Sequence, residues 1–148
     1  MENKWTALYP KNVNKSINLN EYANILEVSD EAIRKYRSKA AFSNFDTDLT
    51  YHELDILSGK MASYFQNTLS LKKGDRIAIQ LPNLLQYPIV LFGALRAGLI
   101  IVNTNPLYTA TEMRHQFKDS GAKAIVILAQ FAHLLEEVQK DTDIKHIV

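Results

Sequence analysis

The stretch that decides the fold is residues 84–102, LLQYPIVLFGALRAGLIIV, in which large apolar side chains predominate. It is nearly as long as a membrane-spanning helix, which needs about 20 apolar residues. The apolar side chains would favour insertion by about 5 kcal/mol, but Arg96 near the middle would cost about 3 kcal/mol of that. Gly98 stands where a helix would end, and it divides the stretch into two shorter pieces. The sequence therefore favours a buried helix followed by a fully buried strand over residues 99–102, and not a membrane span.

The composition is that of an ordinary globular protein. The chain has 148 residues, of which 47% are hydrophobic and 22% charged, and its formal net charge is +1. Such a small charge offers no field for binding nucleic acid, so no nucleic-acid partner is expected. The chain contains no cysteine, which excludes thiol nucleophiles, thiolate metal sites and disulfides, and which fits the reducing cytoplasm. The first twenty residues have no apolar core of signal-peptide length.

Helix and strand signals alternate along the rest of the chain. Capping-box spacing at Thr50/Glu53 and again at Thr109/Glu112 predicts two helix starts. Three apolar segments with the character of strands each follow a glycine, and a last strand is predicted over residues 144–148. The glycines are Gly74, Gly98 and Gly121. This alternation predicts an α/β fold of three layers, with a parallel or mixed sheet between flanking helices.

The predicted organisation is an N-terminal arm over residues 1–20 and one α/β domain over residues 21–148. A helix over residues 22–36 is expected to pack on the outside of the sheet through an apolar face. That face consists of Ile25, Val28, Ala32 and Tyr36. Since no helix follows the final strand, the domain is predicted to be truncated in that strand.

A search for chemistry gives mostly absences. The sequence has no G-x-G-x-x-G, no G-x-x-x-x-G-K-[ST] and no G-x-S-x-G, so the phosphate loops and the nucleophile elbow that need those glycines are excluded. The histidines have no metal-ligand spacing and are expected to be solvated on the surface. They are His52, His115, His133 and His146. No catalytic residue and no metal site are therefore predicted.

Two features remain as binding candidates. The loop NTNPLY, residues 103–108, leaves the carboxyl end of a strand predicted to be central, and open parallel sheets bind ligands at that edge. Its Asn and Pro residues are equally typical of a turn that caps the next helix. Arg114, His115 and Lys118 form a basic cluster on the helix after Thr109, which could meet an anion but is more typical of a solvated helix face.

Two long segments carry a resemblance to a known family. They are AFSNFDTDLTYHELDILSGKMASYF and LKKGDRIAIQLPNLLQYPIVLFGALRAGLIIVNTNPLYTATEMRHQFKDSGAKAIVI, preceded by the opening W…YP. The chain resembles the N-terminal region of bacterial long-chain fatty-acid–CoA ligases, in the acyl-adenylate-forming superfamily. PNLLQYP and NPLYT are similar to the fatty-acid branch in particular. One departure is NFDTDLTY, where relatives often carry a glycine turn.

The resemblance implies a parent enzyme that joins a long-chain fatty acid to coenzyme A with ATP and Mg²⁺. Family members carry the phosphate loop, the adenine-binding segment and the catalytic lysine beyond the region matched here, so this chain is expected to be inactive and to hold no cofactor fully. The resemblance makes residues 103–106 structural. It leaves Arg114 and Lys118 as candidates for binding the coenzyme A nucleotide.

The resemblance also leaves alternatives open. The chain could instead belong to an aryl-acid ligase or a peptide-synthetase adenylation domain, or be a standalone flavodoxin-like binding or regulatory domain. A cytoplasmic enzyme of lipid metabolism is expected, with peripheral contact on the inner face of the membrane and a homodimer among its possible interactions. No basic amphipathic helix that would bind a membrane is evident in the sequence.

Overall fold

The computed structural model describes residues 4–148. After a short 3-10 helix at Lys4–Leu8, the α-helices are α1 (Ile25–Tyr36), α2 (Tyr51–Ser63), α3 (Gln86–Arg96), α4 (Ala110–Ser120) and α5 (Ala132–Val138). The strands are β1 (Ala40–Asn44), β2 (Thr47–Thr50), β3 (Arg76–Gln80), β4 (Ile100–Asn103), β5 (Ala124–Ile127) and β6 (His146–Ile147). The predicted boundary between residues 20 and 21 stays a prediction, and residues 1–3 of the predicted arm lie outside the described residues.

The main sheet has the order β4-β3-β5-β6, and each neighbouring pair is parallel. Ile77 of β3 pairs with Ile101 on one side and with Ala124 on the other. Parallel neighbours need a crossover connection, which α3, α4 and α5 supply. The predicted α/β class with a parallel sheet is confirmed.

The two faces of the sheet build two separate hydrophobic clusters. Ile77 and Ile79 point into a cluster with residues of α2 and α3, whereas Ala78 points into a cluster with α4 and α5. Side chains alternate between the faces of a strand, so an apolar strand can serve both clusters at once. The result is the predicted three-layer arrangement.

The stretch 84–102 forms α3 and β4, with the chain turning between them at Gly98, whose φ is 75°. That left-handed conformation favours glycine, which explains why the helix stops there. Pro88 lies in the first turn of α3, where its missing N–H breaks no helical hydrogen bond. Within residues 4–148, no helix has both the length and the apolar character that a membrane span requires.

Both predicted capping boxes are present. The side chain of Thr50 accepts a hydrogen bond from the amide of Glu53, whose carboxylate accepts one from the amide of Thr50. Thr109 and Glu112 repeat the arrangement at the start of α4. The backbone hydrogen bond from each threonine is the main reason why the pKa of each glutamate is lowered. The caps therefore fix where α2 and α4 begin.

A close helix–helix contact joins α2 to α3 at Gly93. A Cβ atom added at Gly93 would lie 2.7 Å from Met61 Cβ and 3.1 Å from the carbonyl oxygen of Ser58. Ser58 is fully buried and donates to the carbonyl oxygen of Leu54, so it can face α3 without leaving an unpaired hydroxyl. Only glycine at position 93 allows the two helices to approach so closely.

Arg96 links three helices in the fold, although the same charged side chain would oppose insertion into a membrane. Its Nη2 lies 2.7 Å from Asp55 Oδ1 and 3.5 Å from Asp30 Oδ1, and its Nη1 donates to the carbonyl oxygen of Asp55 at 2.8 Å. The end of α3 is thereby fixed to α2 and reaches α1. The sequence suggested no such role.

The position of β4 corrects two predictions. Residues 99–102 were expected to form a fully buried central strand, but β4 is the outermost strand next to β3, and Ile100 is 47% exposed. The central positions belong to β3 and β5. A continuous apolar run indicates burial in general, but it does not say on which side of its neighbours a strand lies.

Helix α1 corrects a third prediction. It begins at Ile25 behind the N-cap Asn24, whose side chain accepts hydrogen bonds from the amides of Leu26 and Glu27. Its buried residue is Ile33, whereas Ile25 is 56% and Val28 38% exposed. α1 contacts α2 and α3 and does not lie on the sheet. Three residues of the expected packing face, Ile25, Val28 and Ala32, line an open groove instead.

A separate antiparallel hairpin, β1–β2, was not predicted. Its turn places Phe45 at φ 47° and Asp46 at φ 57°. The left-handed region is uncommon for residues other than glycine, and it is unfavourable for a bulky side chain such as Phe. The hairpin was not predictable from the sequence, because its turn lacks the usual Asn-Gly or Asp-Gly signal.

An ion pair joins the amino-terminal side of β3 to the turn before β5. Lys123 Nζ lies 2.6 Å from Asp75 Oδ1, and the amide of Lys72 donates to Asp75 Oδ2 at 2.8 Å. The hydrogen bond from Lys123, followed by that from the Lys72 backbone, lowers the pKa of Asp75 below its ordinary value of 3.8. Asp75 therefore favours the folded state when it is ionised.

We predict that Gly93→Ala lowers the free energy of unfolding by about 1–3 kcal/mol, because the added methyl group forces α2 and α3 apart. Urea unfolding followed by circular dichroism would measure it. Gly59→Ala in α2 is the matched control, since its Cβ would meet no atom nearer than 3.6 Å. That control should be neutral or gain up to about 1 kcal/mol from helix propensity. Equal effects of the two substitutions would contradict the close contact.

We predict that Asp75→Asn destabilises the chain at pH 7 and that the difference from the parent shrinks with acid. A lowered folded pKa adds stability that is complete above the unfolded value, near 3.8, and is lost as the pH falls through the folded pKa. Unfolding curves between pH 7 and pH 2 would test this. Asp119→Asn is the control, because the side chain of the exposed Asp119 makes no ion pair or hydrogen bond to any residue from 4 to 148. A difference that is constant with pH would refute the assignment.

Candidate functional site

The carboxyl edge of the sheet contains a buried amide, Gln80, at the end of the central strand β3. The side chain is 0% exposed, and its Nε2 donates to the carbonyl oxygen of Asn105 at 3.3 Å. Its Oε1 has no hydrogen-bond partner in the part of the chain that the structure describes. A buried acceptor without a donor is costly, so it requires an explanation.

The loop 103–108 is fixed by hydrogen bonds from three elements. Gln80 holds Asn105 from β3, and Tyr87 Oη of α3 donates to Asn103 Oδ1 at 2.9 Å. Gln116 Nε2 of α4 donates to the carbonyl oxygen of Asn103 at 3.0 Å. Within the loop, the amide of Leu107 donates to Asn105 Oδ1 at 3.0 Å. Side chains from other elements therefore hold Asn103 at the end of β4 and Asn105 in the loop that follows.

An apolar cleft of about 220 Å³ opens beside this loop, where the hairpin meets the end of β3. Asn44 Nδ2 of the hairpin donates to the carbonyl oxygen of Asn83, which fixes one wall. The lining residues are Phe42, Ser43, Asn44, Asn83, Leu84, Tyr87 and Pro88. In the hairpin turn Phe45 is 85% exposed, and in the loop 103–108 Leu107 is 81% exposed.

The groups at this edge supply hydrogen bonds and apolar contacts. They are amides, the Tyr87 phenol and apolar side chains. The sequence indicated the edge through NTNPLY, but it did not identify Gln80. The one available signal was a polar residue inside the apolar run RIAIQL.

The two predicted anion-binding residues lie on α4, away from the cleft, and differ in their contacts. Arg114 Nε lies 2.9 Å from Asp141 Oδ2, and its Nη2 donates to the carbonyl oxygen of Glu137 at 3.2 Å. Arg114 therefore connects α4 to the segment after α5. Lys118 lines a separate polar depression of about 330 Å³ with Lys140, Asp141, Thr142 and Asp143. The cluster on α4 thus consists of one bound cation and one open to solvent.

The predicted histidine environments are correct for two residues. His115 and His133 are exposed, but His52 and His146 are half-buried. His52 Nε2 lies 3.2 Å from Arg37 Nη2, and its Nδ1 is buried without a partner among residues 4–148. No group of three or more His, Asp or Glu residues in that range could hold a metal ion.

Comparison with known proteins connects the chain to a family of nucleotide-using enzymes. Residues 29–148 match the family described as AMP-binding enzyme. A long-chain-fatty-acid–CoA ligase of Salmonella typhimurium is 46% identical over all 148 residues, and one of Haemophilus influenzae is 47% identical. The chain spans about a quarter (26%) of the length of each of these relatives.

Solved structures agree on the fold. A fatty acyl CoA synthetase of Mycobacterium tuberculosis superposes with a TM-score of 0.77 at 22% identity, over 84% of this chain and 26% of that one. A benzoate CoA ligase of Burkholderia xenovorans gives 0.78 at 20% identity, over 86% of this chain and 26% of that one. At these identities the likeness concerns the fold alone. With the match to residues 29–148, it leads to one conclusion: the chain belongs to the AMP-binding enzyme family, of which it covers an amino-terminal portion.

Proposed function

We propose that this chain is the amino-terminal part of an AMP-forming long-chain fatty-acid–CoA ligase. The observation that carries the proposal is the identity of 46–47% over the whole chain to bacterial ligases of that name. A 4-coumarate–CoA ligase of Pinus taeda is 31% identical over 111 residues, so the fatty-acid branch is favoured over the aryl-acid branch. Neither comparison favours a standalone flavodoxin-like domain.

The reaction of such a ligase has two steps. A fatty-acid carboxylate oxygen attacks the α-phosphorus of ATP, and the bond to pyrophosphate breaks to give an acyl-adenylate. The thiolate of coenzyme A then attacks the acyl carbonyl, and the bond to AMP breaks to give the thioester. Negative charge develops on phosphate and carbonyl oxygens, which Mg²⁺ and hydrogen-bond donors stabilise. We assign Mg²⁺ and ATP chiefly to the rest of the enzyme, where the resemblance places the phosphate loop, the adenine-binding segment and the catalytic lysine.

The part that this chain plays is structural support for that chemistry. Its sheet, its hydrogen-bonded loop 103–108 and its apolar cleft offer surfaces for support, and the groups at the carboxyl edge are amides, a phenol and apolar side chains. We therefore infer that the isolated chain does not form acyl-CoA. This inference keeps residues 103–106 in the structural role expected of them.

We retain Lys118 as a candidate for binding the coenzyme A nucleotide and reassign Arg114. Lys118 and Lys140 share the polar depression, and neither forms an ion pair within residues 4–148, so both ammonium groups are available to phosphate. Arg114 is engaged with Asp141 and the carbonyl oxygen of Glu137. Its removal should act through the position of Asp141, which lines the same depression.

We also infer that the complete enzyme is cytoplasmic, that it touches the inner face of the membrane to collect its lipid substrate, and that it forms a homodimer. The absence of cysteine in the chain is consistent with a reducing compartment. The exposed apolar side chains of the N-terminal arm provide a surface for such contacts. They are Trp5, Leu8, Val13, Ile17 and Leu19.

The proposed function predicts a working chimera. Residues 1–148 replace the matching part of the Salmonella typhimurium ligase, and formation of palmitoyl-CoA from ATP, Mg²⁺, palmitate and coenzyme A is measured. We expect kcat/KM within about tenfold of the parent ligase, because the scaffold contacts are shared. The isolated chain and the ligase without its first part are the controls, and both should be inactive. A folded but inactive chimera, or turnover by the isolated chain, would refute the proposal.

We predict that the double substitution Lys118→Ala and Lys140→Ala in the chimera raises the KM for coenzyme A about three- to tenfold, because a charge-assisted contact to phosphate is lost. The KM values for ATP and palmitate should not change. Lys35→Ala on α1 serves as a charge-matched control without effect. If the KM for coenzyme A is unchanged, the depression is not part of the nucleotide site.

A further inference from the structure

The described part of the N-terminal arm, residues 4–20, contributes little to the fold. Every residue in it except Thr6 is exposed, and its 3-10 helix, Lys4–Leu8, has no buried residue. The arm nevertheless contains large apolar side chains, of which Leu8, Ile17 and Leu19 are 84%, 86% and 85% exposed. Several apolar side chains left uncovered along one segment mark a site of interaction.

We propose that residues 4–20 bind the complete ligase to a bilayer that contains anionic phospholipid. The lysines of the arm contact phosphate groups at the surface, and its apolar side chains enter the layer between the head groups and the acyl chains. This inference rests on the proposed function, which brings the ligase to the membrane. It goes further by naming the chemistry of the lipid and the residues that bind it.

The charge of the arm favours an anionic surface. Lys4, Lys11 and Lys15 are exposed, and none of them forms an ion pair with another residue from 4 to 148. No Asp or Glu lies between Glu2 and Glu21 in the sequence. The positive charge of the arm is therefore uncompensated, although the formal net charge of the whole chain is only +1. Each lysine close to an anionic membrane surface strengthens binding about fivefold.

The side chains at the start of the arm suit the boundary between water and lipid. Trp5 and Leu8 are three residues apart in the 3-10 helix, and residues at that spacing lie on the same side of such a helix. Trp5 is 58% exposed, and Tyr9, directly after the helix, is 42% exposed. Trp and Tyr are the residues that concentrate at membrane interfaces. The helix thus offers an indole and a leucine together, beside the ammonium group of Lys4.

The spacing of the apolar residues favours lipid over a folded protein as the partner. A groove in a protein binds apolar anchors at a regular spacing, such as that of one helix face. The arm beyond Leu8 consists of turns and bends, and Val13, Ile17 and Leu19 follow no such regular spacing. A fluid bilayer accepts apolar side chains at any spacing, so it fits this segment better.

The backbone of the arm limits how deeply it enters the bilayer. Its turns are closed by single hydrogen bonds, such as that from the amide of Val13 to the carbonyl oxygen of Pro10 at 3.0 Å. A backbone without continuous internal hydrogen bonds must stay in contact with water, because hydrocarbon offers it no partner. The arm therefore lies in the interface, with its side chains inserted and its backbone hydrated.

The acidic residues that follow the arm confine the contact to it. Glu21 comes directly after the arm, and Glu27, Asp30 and Glu31 are exposed on α1. An anionic surface repels these carboxylates over about 10 Å, the screening length at moderate salt. The arm therefore touches the bilayer while α1 is held away from it.

Binding of the chimeric ligase to vesicles tests the proposal. The protein is sedimented with vesicles of phosphatidylcholine, with or without phosphatidylglycerol, and its partition coefficient is measured as salt is raised. We expect the combined substitution Lys4→Ala, Lys11→Ala and Lys15→Ala to lower partition into the anionic vesicles at least about tenfold. Added salt should weaken the binding of the unsubstituted chimera in the same direction.

The matched control for this variant removes three exposed lysines outside the arm. It combines Lys60→Ala, Lys72→Ala and Lys145→Ala, and it should change partition by less than about twofold. Trp5→Ala tests the apolar contact and should lower partition at least about threefold, because an indole is lost from the interface. Its control is Phe45→Ala, which removes an exposed aromatic ring outside the arm and should leave partition unchanged. All the substituted side chains are exposed, so the variants are expected to fold.

Each outcome supports or overturns the proposal. Equal partition of the variant without arm lysines and the unsubstituted chimera overturns it, as does equal binding to vesicles with and without phosphatidylglycerol. If the same variant dissociates a dimer while its partition is unchanged, the arm binds a second copy and the proposal is wrong. Partition needs no turnover, so an inactive chimera that binds through the arm supports this inference while refuting the proposed function. An active chimera whose binding does not depend on the arm refutes this inference alone.

Discussion

The rest of the structure depends on the burial of β3 on both faces. From Ile77 to Gln80 each residue is buried, with strands on both sides and helices above and below. A polar side chain on such a strand needs a hydrogen bond, because burial without a partner is costly. Gln80 lies at the end of β3, where its side chain donates to Asn105 in the loop after β4. The positions of α2 and α3 on one face and of α4 and α5 on the other follow from this strand.

Two kinds of contact support β3 from the α3 side, one a close packing contact and the other an ion pair. Gly93 lets α3 lie close to α2, and Arg96 fixes the end of α3 to Asp55. The remaining polar contact at the amino-terminal side of the sheet, Asp75 with Lys123, joins β3 to β5. Each of these links connects elements that are distant in the sequence, and together they place the carboxyl edge where its loops converge. The edge is thus a product of the whole domain.

Local signals in the sequence predicted local structure well. The capping boxes at Thr50 and Thr109 and the glycine at position 98 each act within one turn, so their outcomes could be inferred from a few residues. The wrong predictions concern which neighbour a segment meets. Ile25 and Val28 form an apolar face on α1, but nothing in the helix itself says that Ile33 would be the buried contact. The predicted central position of β4 was wrong for the same reason. Residues 99–102 are apolar like a buried strand, yet Ile100 lies in a strand at the edge of the sheet.

The site was harder to predict than the fold. NTNPLY was recognised as a candidate because Asn and Pro after a strand are a local signal, whereas Gln80 acquires its meaning only from Asn105, which lies across the next crossover. Arg114 was indistinguishable from a free surface cation until Asp141 was brought beside it by the fold. The resemblance to a family predicted the class of protein, and physical contacts alone separated Arg114 from Lys118.

The parallel pairing of the main sheet also has a consequence for how the chain folds. No two neighbouring strands in it are joined by a hairpin, so each pair forms only after an intervening helix has closed a long loop. Loops of that kind slow the search for the native state, and the apolar side chains of β3 stay uncovered meanwhile. In a growing nascent chain β3 leaves the ribosome before both of its neighbours, β4 and β5, so Arg76–Gln80 is a segment that chaperones would have to protect during synthesis.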